Sequence, residues 1–289
     1  MSKFTKCILT FCGIALLIGG VLFGVGLFFG ERSQQNPWFG ENVWRDMDVT
    51  VDGVKVFIGE NAESIEKKEV LAAFENIYMK AECANVSIVT GTEFQITCTY
   101  PKDEMPEFKI ENETLEIIQD RQEDYTNTGN VTRAIIISVP EQTVLKDITL
   151  ENVVGNISIA DINAYRCLTT LTTGNVTVDN SEIDCCNFTI STGNVDVTAL
   201  VAEECYLSTS TGKLDMVSND VKKYVLISGV GGISLDLGKA TCDYAMEAST
   251  NVGKVYIDGE ESGLKYEEEN GEGNIRLSVN VGDINIKTK

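Results

Sequence analysis

The sequence predicts an all-β protein: a parallel β-helix, or β-solenoid, with coils of about 19 residues, preceded by one transmembrane helix. Three observations support this prediction. A glycine-centred phrase returns every nineteen residues, the residues after each glycine alternate between apolar and polar, and an uncharged apolar run stands near the N-terminus. Repetition at a fixed period of this length is typical of solenoids, and the run is long enough to cross a bilayer.

The apolar run at residues 7–30 predicts an uncleaved transmembrane anchor. It is longer than the apolar core of a secretory signal, and no small-residue cleavage site of the usual kind follows it. Lys3 and Lys6 precede the run, so the positive-inside rule places the N-terminus in the cytoplasm and residues 31–289 outside. We therefore expect a single-pass protein of the cell membrane that contacts lipid through residues 7–30.

Two G-x-x-x-G pairs lie within this run, Gly20 with Gly24 and Gly26 with Gly30. Small residues at this spacing allow two membrane helices to approach closely, which would make the protein a homo-oligomer. Glycine is also common in single spans, so an anchor without a helix partner is the alternative.

The glycine-centred phrase predicts the corner of each coil. Apolar residues stand two and four positions after the glycine with mostly polar residues between them, as in a strand with one buried face. A β-branched residue would not easily adopt positive φ at such a corner. The glycines assigned to this role are Gly155, Gly174, Gly193, Gly212, Gly231, Gly253 and Gly282, the last two after steps of 22 and 29 residues. A nineteen-residue unit is too short for a βαβ crossover.

Three cysteines share one position of the repeat, Cys167, Cys186 and Cys205, and Tyr224 continues the series. We expect an inward ladder of free thiols, since buried cysteine behaves as a small hydrophobe. Disulfides are the alternative, because the predicted compartment permits them, although parallel side-chain vectors suit a bridge poorly. A thiolate metal site is disfavoured because the chain has no C-x-x-C.

The predicted organisation has three regions. Residues 1–30 form a cytoplasmic tip and the anchor, residues 31–76 form a juxtamembrane tether with a short helix or a cap, and residues 77–289 form the solenoid. Within the solenoid, residues 77–145 are expected to be irregular first coils and residues 146–289 regular repeats.

The two ends of the solenoid are expected to be atypical, because an open end would expose unpaired strand edges. Val86 and Ile88 are the predicted inward pair of an early coil, and the acidic insert at residues 259–273 is expected to protect the other end.

Composition excludes several functional classes. The formal charge of −21 argues against nucleic-acid binding, and the absence of histidine removes Ser-His-Asp and Cys-His catalysis and histidine zinc sites. Asp196 and Asp215 are expected to stack on adjacent coils, but two carboxylates make a poor calcium cage. We therefore predict no catalytic residues, no metal and no cofactor.

Several of these motifs together resemble a known family. The segments "ANVSIV" and "IIISVP" and the repeated "TGNVxV" coils, after an N-terminal anchor, are similar to the bacterial "putative adhesin" family of β-strand-repeat domains, the domain of unknown function numbered 4097. The resemblance covers roughly residues 75–289. It implies a right-handed β-helix on the outside of the cell and assigns no binding residue.

These features predict a membrane-anchored extracytoplasmic module that is not an enzyme, an adhesin-like or scaffold protein of the cell envelope. Its expected partner is a cell-wall polymer or a membrane protein. The alternative is an accessory subunit of an envelope-stress sensing system. A β-helix enzyme acting on polysaccharide is less well supported, because regular coils leave no long loops to build a cleft.

Overall fold

The computed structural model of the chain describes residues 47–51, 54–58, 64–119, 126–127, 132–217, 219–238 and 243–288. The predicted anchor, with Gly20, Gly24, Gly26 and Gly30, lies outside these residues. In the part of the chain that is described, no helix is long and apolar enough to cross a membrane.

The chain divides into two compact units, residues 1–60 and residues 61–289. In the first unit, β1 (Met47–Val51) and β2 (Val54–Ile58) pair antiparallel. The second unit contains one short 3-10 helix, Lys102–Glu104, among its described residues.

The strands of the second unit are β3 (Ser64–Val70), β4 (Asn76–Cys83), β5 (Asn85–Gly91), β6 (Gln95–Pro101), β7 (Glu107–Glu111), β8 (Thr114–Gln119), β9 (Thr126–Asn127), β10 (Ala134–Pro140), β11 (Val144–Val154), β12 (Ile157–Ala160), β13 (Asn163–Thr173), β14 (Val176–Asp179), β15 (Glu182–Thr192), β16 (Val195–Thr198), β17 (Val201–Thr211), β18 (Leu214–Val217), β19 (Asp220–Val230), β20 (Ile233–Asp236), β21 (Tyr244–Val252), β22 (Val255–Ile257), β23 (Glu260–Gly263), β24 (Lys265–Glu268), β25 (Gly273–Val281) and β26 (Ile284–Lys287).

Two long sheets contain all of these strands except β9. The 12-stranded sheet has the order β23-β22-β26-β20-β18-β16-β14-β12-β5-β10-β6-β3, and the 11-stranded sheet has the order β24-β21-β25-β19-β17-β15-β13-β11-β4-β8-β7. Neighbouring strands are parallel through the middle of both sheets and antiparallel only near the ends. The chain is therefore all-β, with two mostly parallel sheets that are consistent with a β-solenoid.

Each regular coil contributes one strand to each sheet. An 11-residue strand in the 11-stranded sheet leads through a glycine to a four-residue strand in the other sheet, as from β15 to β16. Paired residues on neighbouring coils are nineteen positions apart, for example Val176 opposite Val195. The hydrophobic period of two and the nineteen-residue repeat thus produce the same register on successive nineteen-residue coils.

The core lies between the two sheets and is filled by alternate residues of their strands. Val195 and Val197 are 0% and 1% exposed, and the intervening Asp196 faces solvent. The early-coil pair Val86 and Ile88 is also buried, and it pairs with the first regular coil. Each fully buried aliphatic side chain contributes about 1.5–3 kcal/mol relative to its exposed state.

The coils at the C-terminal end do not follow the order of the sequence. Simple repetition would place the Gly253 coil beside the Gly231 coil, but β26 pairs with β20 on one side and with β22 on the other. The coil of Gly282 therefore lies between them. Within the 29-residue step between Gly253 and Gly282, β23 pairs antiparallel with β22, and β24 pairs antiparallel with β21. These two strands cover the coil of Gly253, which is the outermost coil at this end.

The N-terminal end has a related arrangement. The strands β4 and β5 pair with β11 and β12 of the first regular coil, whereas the later strands β8 and β10 lie outside them. Residues 64–70, expected as part of a short helix or a cap, form strand β3, which pairs antiparallel with β6. The prediction of a short helix there is wrong, because the open edge of β6 supplies backbone hydrogen-bond partners that favour a strand.

Candidate functional site

The seven glycines of the repeated phrase lie where the chain passes from one sheet to the other. Their φ angles are between +135° and +149°, a backbone conformation that L-residues with a side chain rarely adopt. A Cβ atom on Gly193 would lie 1.7 Å from the carbonyl oxygen of Gly174, and the distances at the other six are 1.5–2.0 Å. These glycines bring successive backbones together, so their role is architectural.

A second ladder, which the sequence analysis missed, follows the glycines. The backbone N–H of Asn175 donates to Oδ1 of Asn156 at 3.0 Å, and that of Asn194 donates to Oδ1 of Asn175 at 2.9 Å. The backbone N–H of Lys213 continues the series by donating to Oδ1 of Asn194. Each asparagine thus supplies an acceptor to a corner that the strand ladder leaves unpaired. The signal was present in the sequence as the recurring "GN".

The ladder cysteines are buried in the core in register. Cys167 pairs with Cys186 and Cys186 with Cys205, Tyr224 follows, and each thiol residue is at most 1% exposed. Burial raises the pKa of the Cys167 thiol, and a hydrogen bond with Cys205 together with burial raises the pKa of Cys186. The six cysteines in the described part of the chain are free thiols. Buried neutral thiols are poor nucleophiles and poor metal ligands.

The stacked aspartates do not form a metal cage. Asp196 pairs with Asp215 across β16 and β18, and burial followed by the charge of Asp215 raises the pKa of Asp196. Nζ of Lys213 forms an ion pair with Oδ2 of Asp215 at 2.6 Å. Among the described residues, no group of three or more cysteine or acidic side chains could hold a metal ion.

Several basic residues of the regular coils form ion pairs with carboxylates one coil away. Arg166 contacts Asp147 at 2.6 Å, and Lys223 contacts Glu204 at 2.8 Å. Lys222 is paired in the same way with Glu203. Exposed pairs of this kind contribute about 0–1 kcal/mol each. These ion pairs engage the cationic side chains that could otherwise bind an anionic substrate.

The outer side of the 11-stranded sheet carries a group of hydroxyl side chains, all exposed except that of the half-buried Ser208. Three neighbouring strands, β13, β15 and β17, each present three Ser or Thr residues at equivalent positions. We call these nine residues the hydroxyl face: Thr170, Thr172, Thr173, Thr189, Ser191, Thr192, Ser208, Ser210 and Thr211. Within the described part of the chain, none of their hydroxyl groups has a hydrogen-bond partner. The sequence signal was the Ser/Thr-rich segment before each "TGN" or "TGK".

The border of the hydroxyl face adds two other kinds of group. Asn187 is exposed and pairs with the half-buried Tyr206, and both lie two residues before a hydroxyl residue of the same strand. A cavity of about 270 Å³ adjoins the other side of the face, where Thr170 and Thr172 line it together with Glu151. The surface therefore combines uncharged hydroxyls, an amide, an aromatic ring and a recess.

A larger cavity, of about 670 Å³, lies along the edge at the far ends of the short strands. Asp161, Asn180 and Glu182 line it together with Glu141. Nδ2 of Asn180 donates to the Asp161 carboxylate at 2.5 Å, so part of its polar lining is already paired. This edge has acidic character and differs in chemistry from the hydroxyl face.

Comparison with known proteins bears on the family and on the fold. A family profile described as "Toastrack DUF4097" matches residues 74–223 and again residues 145–287. No curated protein sequence matches the chain.

Several solved structures resemble this chain at low identity. A protein of Bacteroides fragilis described as a "putative adhesin" is 19% identical with a TM-score of 0.45, and the similarity covers 78% of this chain and 98% of that one. A Parabacteroides distasonis "putative lipid binding protein" is 14% identical with a TM-score of 0.45, covering 79% and 98%. A "putative cell adhesion protein" of Clostridium sporogenes is 16% identical with a TM-score of 0.36, covering 78% and 100%.

Proposed function

On the premise that this chain belongs to the Toastrack DUF4097 family, we propose that it is a membrane-anchored extracytoplasmic module that binds another molecule without catalysis. Its role is then that of an adhesin-like protein or of a scaffold in the cell envelope. The observation that carries this proposal is the distribution of side chains on the regular coils. The ladder thiols are buried and the basic groups are ion-paired, whereas an ordered set of uncharged hydroxyls faces solvent.

The proposal includes the membrane topology. Residues 7–30 anchor the chain, Lys3 and Lys6 keep the N-terminus in the cytoplasm, and a right-handed solenoid over residues 77–289 stands outside. The length of the uncharged run and the positive residues before it support this arrangement. The residues between the run and strand β3 then serve as the tether, and the glycine pairs of the run allow a homo-oligomer.

The nature of the partner follows from charge. A chain with a formal charge of −21 repels anionic lipid and other acidic polymers, so its folded part is unsuited to an anionic membrane surface. One similar structure is described as lipid-binding, but for this chain we assign lipid contact to residues 7–30. A cell-wall polymer or a membrane protein is the proposed partner of the folded part.

Labelling of intact bacterial cells tests this proposal. The full-length chain would carry a peptide tag after Lys289 or, as the matched control, before Met1, and both forms would be exposed to an impermeant reagent. We expect only the C-terminal tag to react, and we expect the protein in the membrane fraction. A C-terminal tag that reacts only after lysis would contradict the topology.

Chemical crosslinking of the same cells, followed by mass spectrometry, tests the binding role. Recovery of a specific wall glycan or membrane protein supports it. Recovery of an envelope-stress sensor would favour the accessory-subunit alternative.

A further inference from the structure

We infer that the hydroxyl face is a binding site for a neutral polysaccharide. This inference rests on the proposed function and names the class of molecule that the module binds. The juxtaposition that supports it is a set of nine hydroxyls, which have no hydrogen-bond partner in the described ranges of the chain, beside an exposed amide and a half-buried aromatic ring.

The first argument is hydrogen-bonding capacity. Each Ser or Thr hydroxyl offers one donor and two acceptor positions, and its hydrogen can rotate to suit a partner. On β15, Thr189, Ser191 and Thr192 are all exposed and bond to no other described group of the chain. A ligand rich in hydroxyls, which also donate and accept, is the natural complement to such a surface.

The second argument is spacing and rigidity. Neighbouring strands are about 4.8 Å apart and alternate residues along a strand are about 6.6 Å apart. Thr170 and Thr172 are alternate residues of β13, and together with their equivalents on β15 and β17 they form a repeating grid. The three strands are hydrogen-bonded on both sides, and Phe188 and Leu207 anchor them in the core. A repeating ligand can therefore meet the same contacts on successive coils with little loss of conformational entropy by the protein.

The third argument is charge. The nine residues carry no charge, although the chain as a whole is strongly acidic. An anionic polymer would be repelled by the surrounding field, and a basic one would be drawn instead to acidic surfaces such as residues 259–273. A neutral polymer is the class that the hydroxyl face favours.

The fourth argument is the border. The half-buried ring of Tyr206 offers an apolar surface to the C–H face of a sugar ring, and Asn187 beside it offers both a donor and an acceptor. Across the face, the 270 Å³ recess that Thr170 and Thr172 help to line can hold water that a bound chain would displace. Ligand sites commonly combine apolar surface with a few placed polar groups in this way.

Affinity electrophoresis tests the inference with the full-length protein. The gels would contain dextran, mannan or hydroxyethyl cellulose as neutral polymers, and dextran sulfate as the anionic one. A polyoxyethylene detergent would keep the protein in solution, since a detergent with a sugar head group would compete. We expect at least one neutral polymer to retard migration and dextran sulfate to leave it unchanged.

Matched variants connect the retardation to the surface. Thr170→Val with Thr189→Val removes two hydroxyls but keeps the β-branched shape, and should weaken apparent affinity by about tenfold. Thr177→Val with Thr198→Val makes the same change at exposed positions of the 12-stranded sheet and should leave affinity unchanged. Tyr206→Ala is a second, independent variant, and thermal unfolding would verify that each protein is folded.

The outcomes separate this inference from the proposed function. Failure of all three neutral polymers to retard the protein, stronger retardation by dextran sulfate, or equal losses in the two double variants would overturn the inference. If those results came with a surface-labelled protein that crosslinks to a membrane partner, the proposed function would stand. If a neutral polymer bound but the C-terminal tag lay inside the cell, the proposed function would be wrong instead.

Discussion

Replacement of Gly193 by alanine tests whether the corner glycines are required by close backbone approach. The added Cβ would lie 1.7 Å from the Gly174 carbonyl oxygen, whereas real Cβ atoms essentially never come within 3.0 Å of such an atom. The two coils must therefore separate locally by more than 1 Å, about the difference between those distances. That movement would break the hydrogen bonds from Gly174 N to Thr192 O and from Val176 N to Asn194 O.

The expected loss of stability follows from these contacts. Two backbone hydrogen bonds contribute about 2 kcal/mol together, and an L-residue held in a sparsely populated backbone region costs about 1–3 kcal/mol. The free energy of unfolding should fall by about 3–5 kcal/mol. For a unit of this size, the Tm should fall by roughly 6–20 °C.

Gly259→Ala is the matched control. Gly259 also has positive φ, +86°, but nothing lies within 4 Å of the position of an added Cβ. Only the conformational penalty of about 1–2 kcal/mol applies, so the Tm should fall by a few degrees. Thermal unfolding of the full-length protein by circular dichroism measures both variants. If Gly193→Ala melted no lower than Gly259→Ala, backbone contact at the corners would not be the reason for the glycines.

Three further predictions concern the asparagine ladder, the cysteine ladder and the stacked aspartates. Asn175→Ala removes the acceptor of the Asn194 N–H and should lower the free energy of unfolding by about 1 kcal/mol, measured by denaturant titration; an unchanged midpoint would contradict the role of this ladder. The three ladder cysteines should not react with a thiol-specific reagent at mildly alkaline pH until the protein is unfolded, because all three are buried and burial raises the pKa of the Cys167 thiol; rapid labelling of these three residues in the folded protein would count against the burial. Asp196→Asn should raise the Tm at pH 7, because the raised pKa of Asp196 means that its ionised form is less favourable in the folded state than in the unfolded state. The gain should vanish below the ordinary aspartate pKa, where both states bind the proton, and a gain that persists there would exclude this cause.

Much of the regular coil could be predicted from the sequence. The alternation after each glycine identifies the inward residues, such as Val195 and Val197, and the nineteen-residue interval identifies their partners on the next coil. The asparagine ladder was equally visible as "GN", and was missed because Asn after Gly is also an ordinary turn sequence.

The hydroxyl face was harder to find from the sequence. Ser and Thr between apolar residues are expected on any exposed strand. Only the pairing of β13, β15 and β17 shows that residues such as Thr189 stand beside equivalent hydroxyls on both neighbouring strands. That these hydroxyls have no hydrogen-bond partner among the described residues is likewise a property of their three-dimensional placement.

The repeating unit follows from the sequence alone, because the side-chain period, the glycine corners and the inward cysteines are local properties that successive coils repeat. The order of the coils at the two ends depends on tertiary contacts. Strands of similar shape offer one another equivalent backbone hydrogen bonds, so the period does not specify which coil is the neighbour of which once a longer step intervenes. The coil of Gly282 consequently lies between those of Gly231 and Gly253, and antiparallel strands cover the outer coil.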